Sequence, residues 1–248
     1  MIIDSHVHIG NDRDGTRQTV LGLKKNMKAY GVDKAIIFPF DEETDLVKAS
    51  IALLQYRSES MKPFLRFDPK KIKPEEVERL LAEYPFYGVK LHPRAQNFDP
   101  IDKRYYPIYK KMEESGKPLL IHSRKAIPLF GRSKVIDGRY SDPDRIVKLA
   151  KSFPDLDIIL AHFAGISKYA IDTIKKEDNL FIETSIFGTT FLVKMIAERI
   201  GPEKMMFGSD SPYSDQEIEV LKVKKSGLSK TDLDKILYKN MILRIGKD

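Results

Sequence analysis

Residues 118–122 read Pro-Leu-Leu-Ile-His, an apolar run closed by one polar side chain. A short run with no polar alternation is the pattern of a strand covered on both faces, as in parallel sheets flanked by helices. The same form recurs on either side: Asp157–His162 is D-I-I-L-A-H, Phe86–His92 is F-Y-G-V-K-L-H, and Ile2–His8 is I-I-D-S-H-V-H. Lys34–Phe38, Phe64–Phe67, Leu180–Thr184 and Lys204–Ser209 bring the strand-like runs to eight. Helical patterns lie between them. Pro74 with Glu75 and Glu76 opens one ahead of Val77, Leu80 and Leu81. Asp142-Pro143 opens another before Ile146, Val147 and Leu149, and Ser229 with Asp232 forms a capping box for a last helix through about Tyr238. Successive strand–helix units mean parallel strands joined by right-handed crossovers. An open doubly wound sheet would carry a glycine-rich phosphate loop after a strand, and no G-x-G-x-x-G or G-x-x-x-x-G-K-[ST] is present. Eight units in a chain of about 250 residues predict an α/β fold, a single (β/α)8 TIM barrel with an extra carboxy-terminal helix. No linker or low-complexity block divides residues 1–248, so they read as one domain.

Composition narrows the chemistry. The 248 residues are 42% hydrophobic and 32% charged, as expected of a globular chain. The absence of Cys excludes disulfides, thiolate metal sites, iron–sulfur clusters and a thiol nucleophile. Lys and Arg exceed Asp and Glu by 43 to 36, giving +7. That surplus permits an anionic partner without requiring one. No apolar run approaches the roughly 20 residues of a membrane span. The opening MIIDSHVHIG lacks the basic and apolar regions of a secretion signal, so a cytoplasmic location is expected. A homo-oligomer remains open, since barrel helices can be solvated or form interfaces.

The five histidines are His6, His8, His92, His122 and His162, each at the carboxyl end of a predicted strand. In a barrel those ends form one rim, where active sites sit. A lone His is more often a hydrogen-bonded core residue, but five on one rim and none on a helix point to a site. His6 and His8 are two residues apart on a strand, so both rings point to the same side. Asp4 shares their parity but lies deeper and reads as a buried acceptor. His122 and Asp210 end the fifth and eighth strands. Two His, a third His and a carboxylate make a nitrogen–oxygen set suited to one divalent ion, Zn2+ above all, with Mn2+, Fe2+ or Co2+ as alternatives.

The segments IIDSHVHIG, YGVKLHPRA, KPLLIHSR, FPDLDIILAHFAG, LFIETS, MMFGSDSPYS and KNMILRIG together resemble the amidohydrolase superfamily of (β/α)8 metal enzymes. The likeness is to its amidohydrolase-related branch, which includes aminocarboxymuconate-semialdehyde decarboxylase. It runs in family order along essentially the whole chain. It implies His6, His8, His122 and Asp210 as metal ligands and His162 as a catalytic group near the substrate. Two-metal relatives place a second ion on the strand-five and strand-six His with a carboxylated Lys or Glu from strand four. Lys90 and His162 would serve such a second ion, though a single ion is the expectation here.

A metal with an open position lowers the pKa of bound water towards about 7, and Asp210 would take and later return the proton. His162 would polarise a carbonyl or stabilise an oxyanion. The expected reaction is hydrolysis of an amide, ester or lactone. The alternative on the same site is non-oxidative decarboxylation of an unsaturated or aromatic acid. Basic residues Arg124, Lys125, Arg132, Lys134 and Arg139 crowd the loop after strand five, opposed only by Asp137. Arg94 follows His92 on the neighbouring loop. Arg94 and Arg124, with His92, are therefore expected to bind a small anionic substrate. The segment IHSRKA also resembles the TatD-type metal-dependent deoxyribonucleases, but those expect a Glu on strand four where this chain has Lys90 and His92. Nucleic acid is thus not the expected partner. A non-catalytic metal-binding scaffold is the remaining alternative, and no expected site position is missing to support it.

Overall fold

A computed structural model describes residues 1–12, 14–41, 43–124 and 138–246. Eight parallel strands close on themselves: β1 (Ile3–Asn11), β2 (Lys34–Pro39), β3 (Met61–Pro63 and Leu65–Arg66), β4 (Val89–Leu91), β5 (Leu119–Ile121), β6 (Ile158–Leu160), β7 (Leu180–Glu183) and β8 (Met205–Met206). The two pieces of β3 are one strand that changes partner, since Phe64 N–H donates to Ile37 and Leu65 N–H to Gly88, each at 2.9 Å. Closure between β8 and β1 comes from Ser5 N–H to Phe207 O at 3.0 Å, Asp210 N–H to His6 O at 2.8 Å and His8 N–H to Ser211 O at 2.9 Å. The result is the expected (β/α)8 barrel. Helices follow each strand in turn: α1 (Val20–Tyr30), α2 (Leu46–Leu53), α3 (Pro74–Glu83), α4 (Tyr106–Glu114), α5 (Pro143–Ala150), α6 (Lys168–Ile174), α7 (Thr190–Ile200) and α8 (Gln216–Lys224). Among the described residues no helix is long and apolar enough to cross a membrane.

Local signals explain these elements. Pro74 occupies the first turn of α3 beside Glu75 and Glu76, and the helix buries Val77, Leu80 and Leu81. Asp142 caps α5 by accepting from Asp144 N–H. Several expected boundaries move: the run at Phe64–Phe67 starts at Met61, and Phe86–His92 and Lys204–Ser209 are strands only over Val89–Leu91 and Met205–Met206. Strand β1 runs beyond His8 to Asn11 because its end pairs antiparallel with Arg17–Gln18. The last helix starts where expected, with Ser229 accepting from Asp232 N–H at 3.2 Å, but does not stop at Tyr238. It continues through a widened π turn (Lys235–Lys239) into Asn240–Ile245, ending at Gly246 with φ 80°. Nothing between Ser229 and Gly246 breaks a helix, and Asn240 ties it down by donating to Pro202 O and Met205 O at 2.8 and 2.7 Å.

The period of two along each strand divides the core. Leu119, Ile121, Ile158 and Leu160 pack outward on the helices, whereas Ile3, Leu120, Ile159, Phe181 and Met206 fill the barrel. Two residues beyond each inward apolar side chain lies the next inward position. Phe64 thereby leads to Arg66, Leu120 to His122, and Phe181 to Glu183. The apolar plug is the floor on which the polar layer stands.

Candidate metal centre

His6 and His8 project from β1 into the upper barrel, and both are buried. Their Nε2 atoms converge on one oxygen, Oδ1 of Asp210, at 3.0 and 3.1 Å. Asp210 follows β8 with φ 61°, an uncommon backbone for a non-glycine residue. Lys90, inward from β4, sets its Nζ 3.0 Å from His6 Nε2. His6, His8 and Asp210 form a group whose ligand atoms all lie within 4.8 Å of one another. His122 is outside that group. It stacks on His92 at 3.7 Å between ring centroids, and its Nδ1 is 3.0 Å from His162 Nε2. Its own Nε2 is buried with no partner among the described residues. His162 lies behind His122, with Nδ1 2.7 Å from Ser185 Oγ, so both its nitrogens are engaged. Asp4 is a buried acceptor for Ser209 N–H, Ser209 O–H and Gln216 at 2.9, 2.6 and 2.7 Å.

This donor set fits a divalent ion. Two imidazole nitrogens meeting at one carboxylate oxygen, with a third bare imidazole nitrogen buried nearby, is costly to leave unsatisfied. The charges agree. Burial would raise the Asp210 carboxyl, but His6, His8 and His162 hold it well below its usual range. Burial and Lys90 oppose a proton on His6, yet Asp210 and Glu183 outweigh them and its pKa is raised. Burial pushes Lys90 down to about 7, helped by Arg66 and resisted by Asp210 and Glu183. It also lowers His8 to about 3 and His162 to about 4, and His122 well below its usual value, so these rings are neutral.

A model of the family described as Amidohydrolase matches residues 3–240. The chain belongs to the amidohydrolase family. Solved structures with this fold include 5-carboxyvanillate decarboxylase from Sphingomonas paucimobilis, 15% identical with TM-score 0.78, covering 98% of each chain. The 2,6-dihydroxybenzoate decarboxylase from Rhizobium is 17% identical with TM-score 0.76, again over 98% of each chain. A dihydroxybenzoic acid decarboxylase from Polaromonas, solved with manganese and 2-nitroresorcinol, is 15% identical with TM-score 0.75 over 98% of this chain and 96% of that one. Among curated proteins, dihydroorotase of Saccharomyces cerevisiae is 30% identical over 116 residues. That match spans 43% of this chain and 31% of the yeast protein. As an amidohydrolase the chain is an enzyme, and its barrel holds groups able to bind a metal ion.

The amidohydrolase cavity above the cluster is about 550 Å³, lined by His6, His8, Lys90, His92, His122 and Asp210, with Arg94, Arg124, Asp41 and Tyr213 towards its mouth. Neither Arg94 nor Arg124 forms an ion pair with a carboxylate among the described residues, although the Asp41 charge reaches Arg94. Burial lowers the Arg94 pKa, and Arg124 lowers it further. Arg124 also lies over the Phe187 ring at 5.4 Å. Of the other basic residues expected on this loop, Lys125, Arg132, Lys134 and the Arg139 side chain fall outside the described part, as does Asp137.

Two buried residues at this site were not anticipated. Arg66, fully buried at the end of β3, donates to Pro39 O at 2.6 Å and to Asp41. Glu183 ends β7 and accepts from His6 Nδ1 at 3.1 Å and from His162 N–H at 2.7 Å. Gly208 makes room for it, since a Cβ there would fall 2.3 Å from Glu183 Oε2. Strand parity becomes a signal for both only once the register is fixed, since each is a charged residue near a strand's carboxyl end whose inward position depends on that register. His162 also opens a left-handed turn. His162, Phe163, Ala164, Gly165 and Ile166 have φ of 58, 50, 50, 58 and 57°. Each non-glycine residue in that conformation costs about 1–2 kcal/mol. The bond from His162 N–H to Glu183 and the full burial of Phe163 and Ala164 hold the turn in place.

Proposed function

We propose that this chain is a hydrolase that opens an amide, ester or lactone bond in a small anionic substrate, with one divalent ion held by His6, His8, Asp210 and His122. The carrying observation is the convergence of His6 Nε2 and His8 Nε2 on Asp210 Oδ1, at 3.0 and 3.1 Å, on the floor of a polar cavity. When bound there, the ion supplies Lewis-acid charge and lowers the pKa of water. Zn2+ suits this nitrogen–oxygen set, and Mn2+, the metal in the Polaromonas structure, is the main alternative. Asp210 is ionised at neutral pH and so can accept a proton and return it to the leaving group. Lys90, near neutrality, sits at the same floor as a second proton-transfer group. Arg94 and Arg124 offer planar forks to a substrate carboxylate, and His92 flanks it from β4.

A second reading is favoured by the neighbours, since two of them act on dihydroxybenzoates by decarboxylation. The wall here is dominated by charged and imidazole side chains, which suits an anionic substrate of either kind, so the choice between them falls to the assay. The test is a paired assay: dihydroorotate, a charged lactone and its neutral analogue on one side, 2,6-dihydroxybenzoate on the other. Ring opening that is abolished by chelation and restored by Zn2+ or Mn2+ is the expected outcome. Release of CO2 from the benzoate without ring opening would replace hydrolysis by decarboxylation. Equal kcat/KM for the charged and neutral lactones would remove Arg94 and Arg124 from substrate binding.

A further inference from the structure

The polar groups behind the cavity can be assigned proton by proton, starting from Glu183. An ionised carboxylate only accepts hydrogen bonds. Its Oε1 takes the His162 backbone N–H at 2.7 Å and the Ser185 hydroxyl at 2.8 Å, and its Oε2 takes Ser185 N–H at 2.8 Å. His6 Nδ1, 3.1 Å from Oε1, must therefore carry a proton, which leaves Nε2, 3.0 Å from Asp210 Oδ1, as the nitrogen whose proton an ion would displace. Ser185 has given its single hydroxyl proton to Glu183. Its oxygen can then only accept from His162 Nδ1, 2.7 Å away, so that nitrogen is an N–H. A neutral ring has one proton, which leaves His162 Nε2 as an acceptor for His122 Nδ1 at 3.0 Å. His122 in turn keeps a bare lone pair on Nε2, the buried atom without a partner on the cavity wall.

We propose that Glu183, acting directly on His6 and through Ser185 and His162 on His122, sets both tautomers so that each ring offers its Nε2 lone pair to the ion. Glu183, Ser185 and His162 are then positioning residues, and His162 meets His122 instead of the substrate. One carboxylate orients ligands from opposite sides of the barrel, a role that carboxylates beside metal-bound histidines commonly fill. This inference rests on the metal reading of the cavity.

The test is 15N NMR of the imidazoles in the full chain, metal-free and with Zn2+, beside Zn2+ dissociation constants for wild type, Glu183→Gln and Ser185→Ala. In the wild type His122 and His162 carry their proton on Nδ1. His6 keeps its Nδ1 proton in both states, and Zn2+ shifts Nε2 of His6, His8 and His122 but not of His162. Ser185→Ala, which removes one hydroxyl, mixes the His122 and His162 tautomers and weakens Zn2+ binding about 10–100-fold at unchanged melting temperature of the metal-free protein. Glu183→Gln weakens it at least as much and also mixes His6. A His122 proton on Nε2 in the metal-free wild type would overturn the proposal. So would a Zn2+ shift at His162 Nε2, or equal dissociation constants in all three proteins. A wild type that takes up no Zn2+ overturns the metal reading itself, while its metal-free spectrum still decides the tautomers.

Discussion

At the amino-terminal end of the barrel, Asn179 shares its amide among the carbonyls of Ala150, Phe153 and Leu156 at 3.2, 2.8 and 3.1 Å. Asn240 does the same for Pro202 and Met205, and the helix-to-strand turns put glycines, Gly31 and Gly116, where φ is positive. At the carboxyl end the pattern reverses. His8 Nδ1, Arg66 Nε and His122 Nε2 are buried without partners among the described residues. Beside Gly10 and Gly165, the residues with positive φ there include seven that are not glycine: Asn97, His162, Phe163, Ala164, Ile166, Ile186 and Asp210. The amino-terminal end spends most of its polar groups on the fold, Ser226 Oγ after α8 being a buried exception. The other holds polar groups open and non-glycine backbone in the left-handed region, strain that the surrounding packed structure must offset.

That contrast can be broken or sharpened by experiment. The largest effect is expected from Asp210→Asn, which turns the carboxylate shared by His6 and His8 into a neutral amide. Turnover should fall about 10²–10⁴-fold, as for loss of a general acid–base group, with little change in melting temperature. A large loss of stability instead would mean that the rim also holds the fold. Asn179→Ala should do the opposite. Denaturant unfolding should show a loss of about 2–3 kcal/mol, from buried carbonyls left partly unsatisfied, while Zn2+ affinity stays the same. Arg94→Met should raise KM for an anionic substrate about tenfold or more and leave a neutral analogue unaffected, as expected for one lost hydrogen bond to a charged group.

The smallest effect concerns pH. Asp210 and Glu183 raise the His6 pKa above 6.5, so a proton competes with the ion for Nε2. Ligand nitrogens must lose their protons to bind, so Zn2+ affinity should fall as pH drops through that raised value, approaching about tenfold per pH unit below it. Isothermal titration at a series of pH values measures this slope. A flat profile would take His6 Nε2 out of the ligand set.

Much of this was legible before the fold was known. The runs ending in His92, His122 and His162 marked strands four to six, because a strand buried on both faces has to be apolar until it reaches the rim. His6 and His8 could be placed on one side from spacing alone, and the structure brings both to Asp210. Glu183 and Arg66 were harder to see. Nothing in L-F-I-E-T-S or F-L-R-F says that the charged side chain points inward until the strand's register is known. The end of the last helix was missed for a related reason, since Asn240 is held by carbonyls from Pro202 and Met205 that are distant in sequence.

The sequence by itself determined the order of the strands, the barrel and the absence of any thiol chemistry, because periodicity, capping and composition act locally. It also confined every histidine to the rim. Only the tertiary structure decided which nitrogen of each ring faces the cavity, because that depends on what meets it across the barrel. His6 from the first strand and His162 from the sixth reach the same oxygen of Glu183 at the end of the seventh, and no local signal encodes such a meeting.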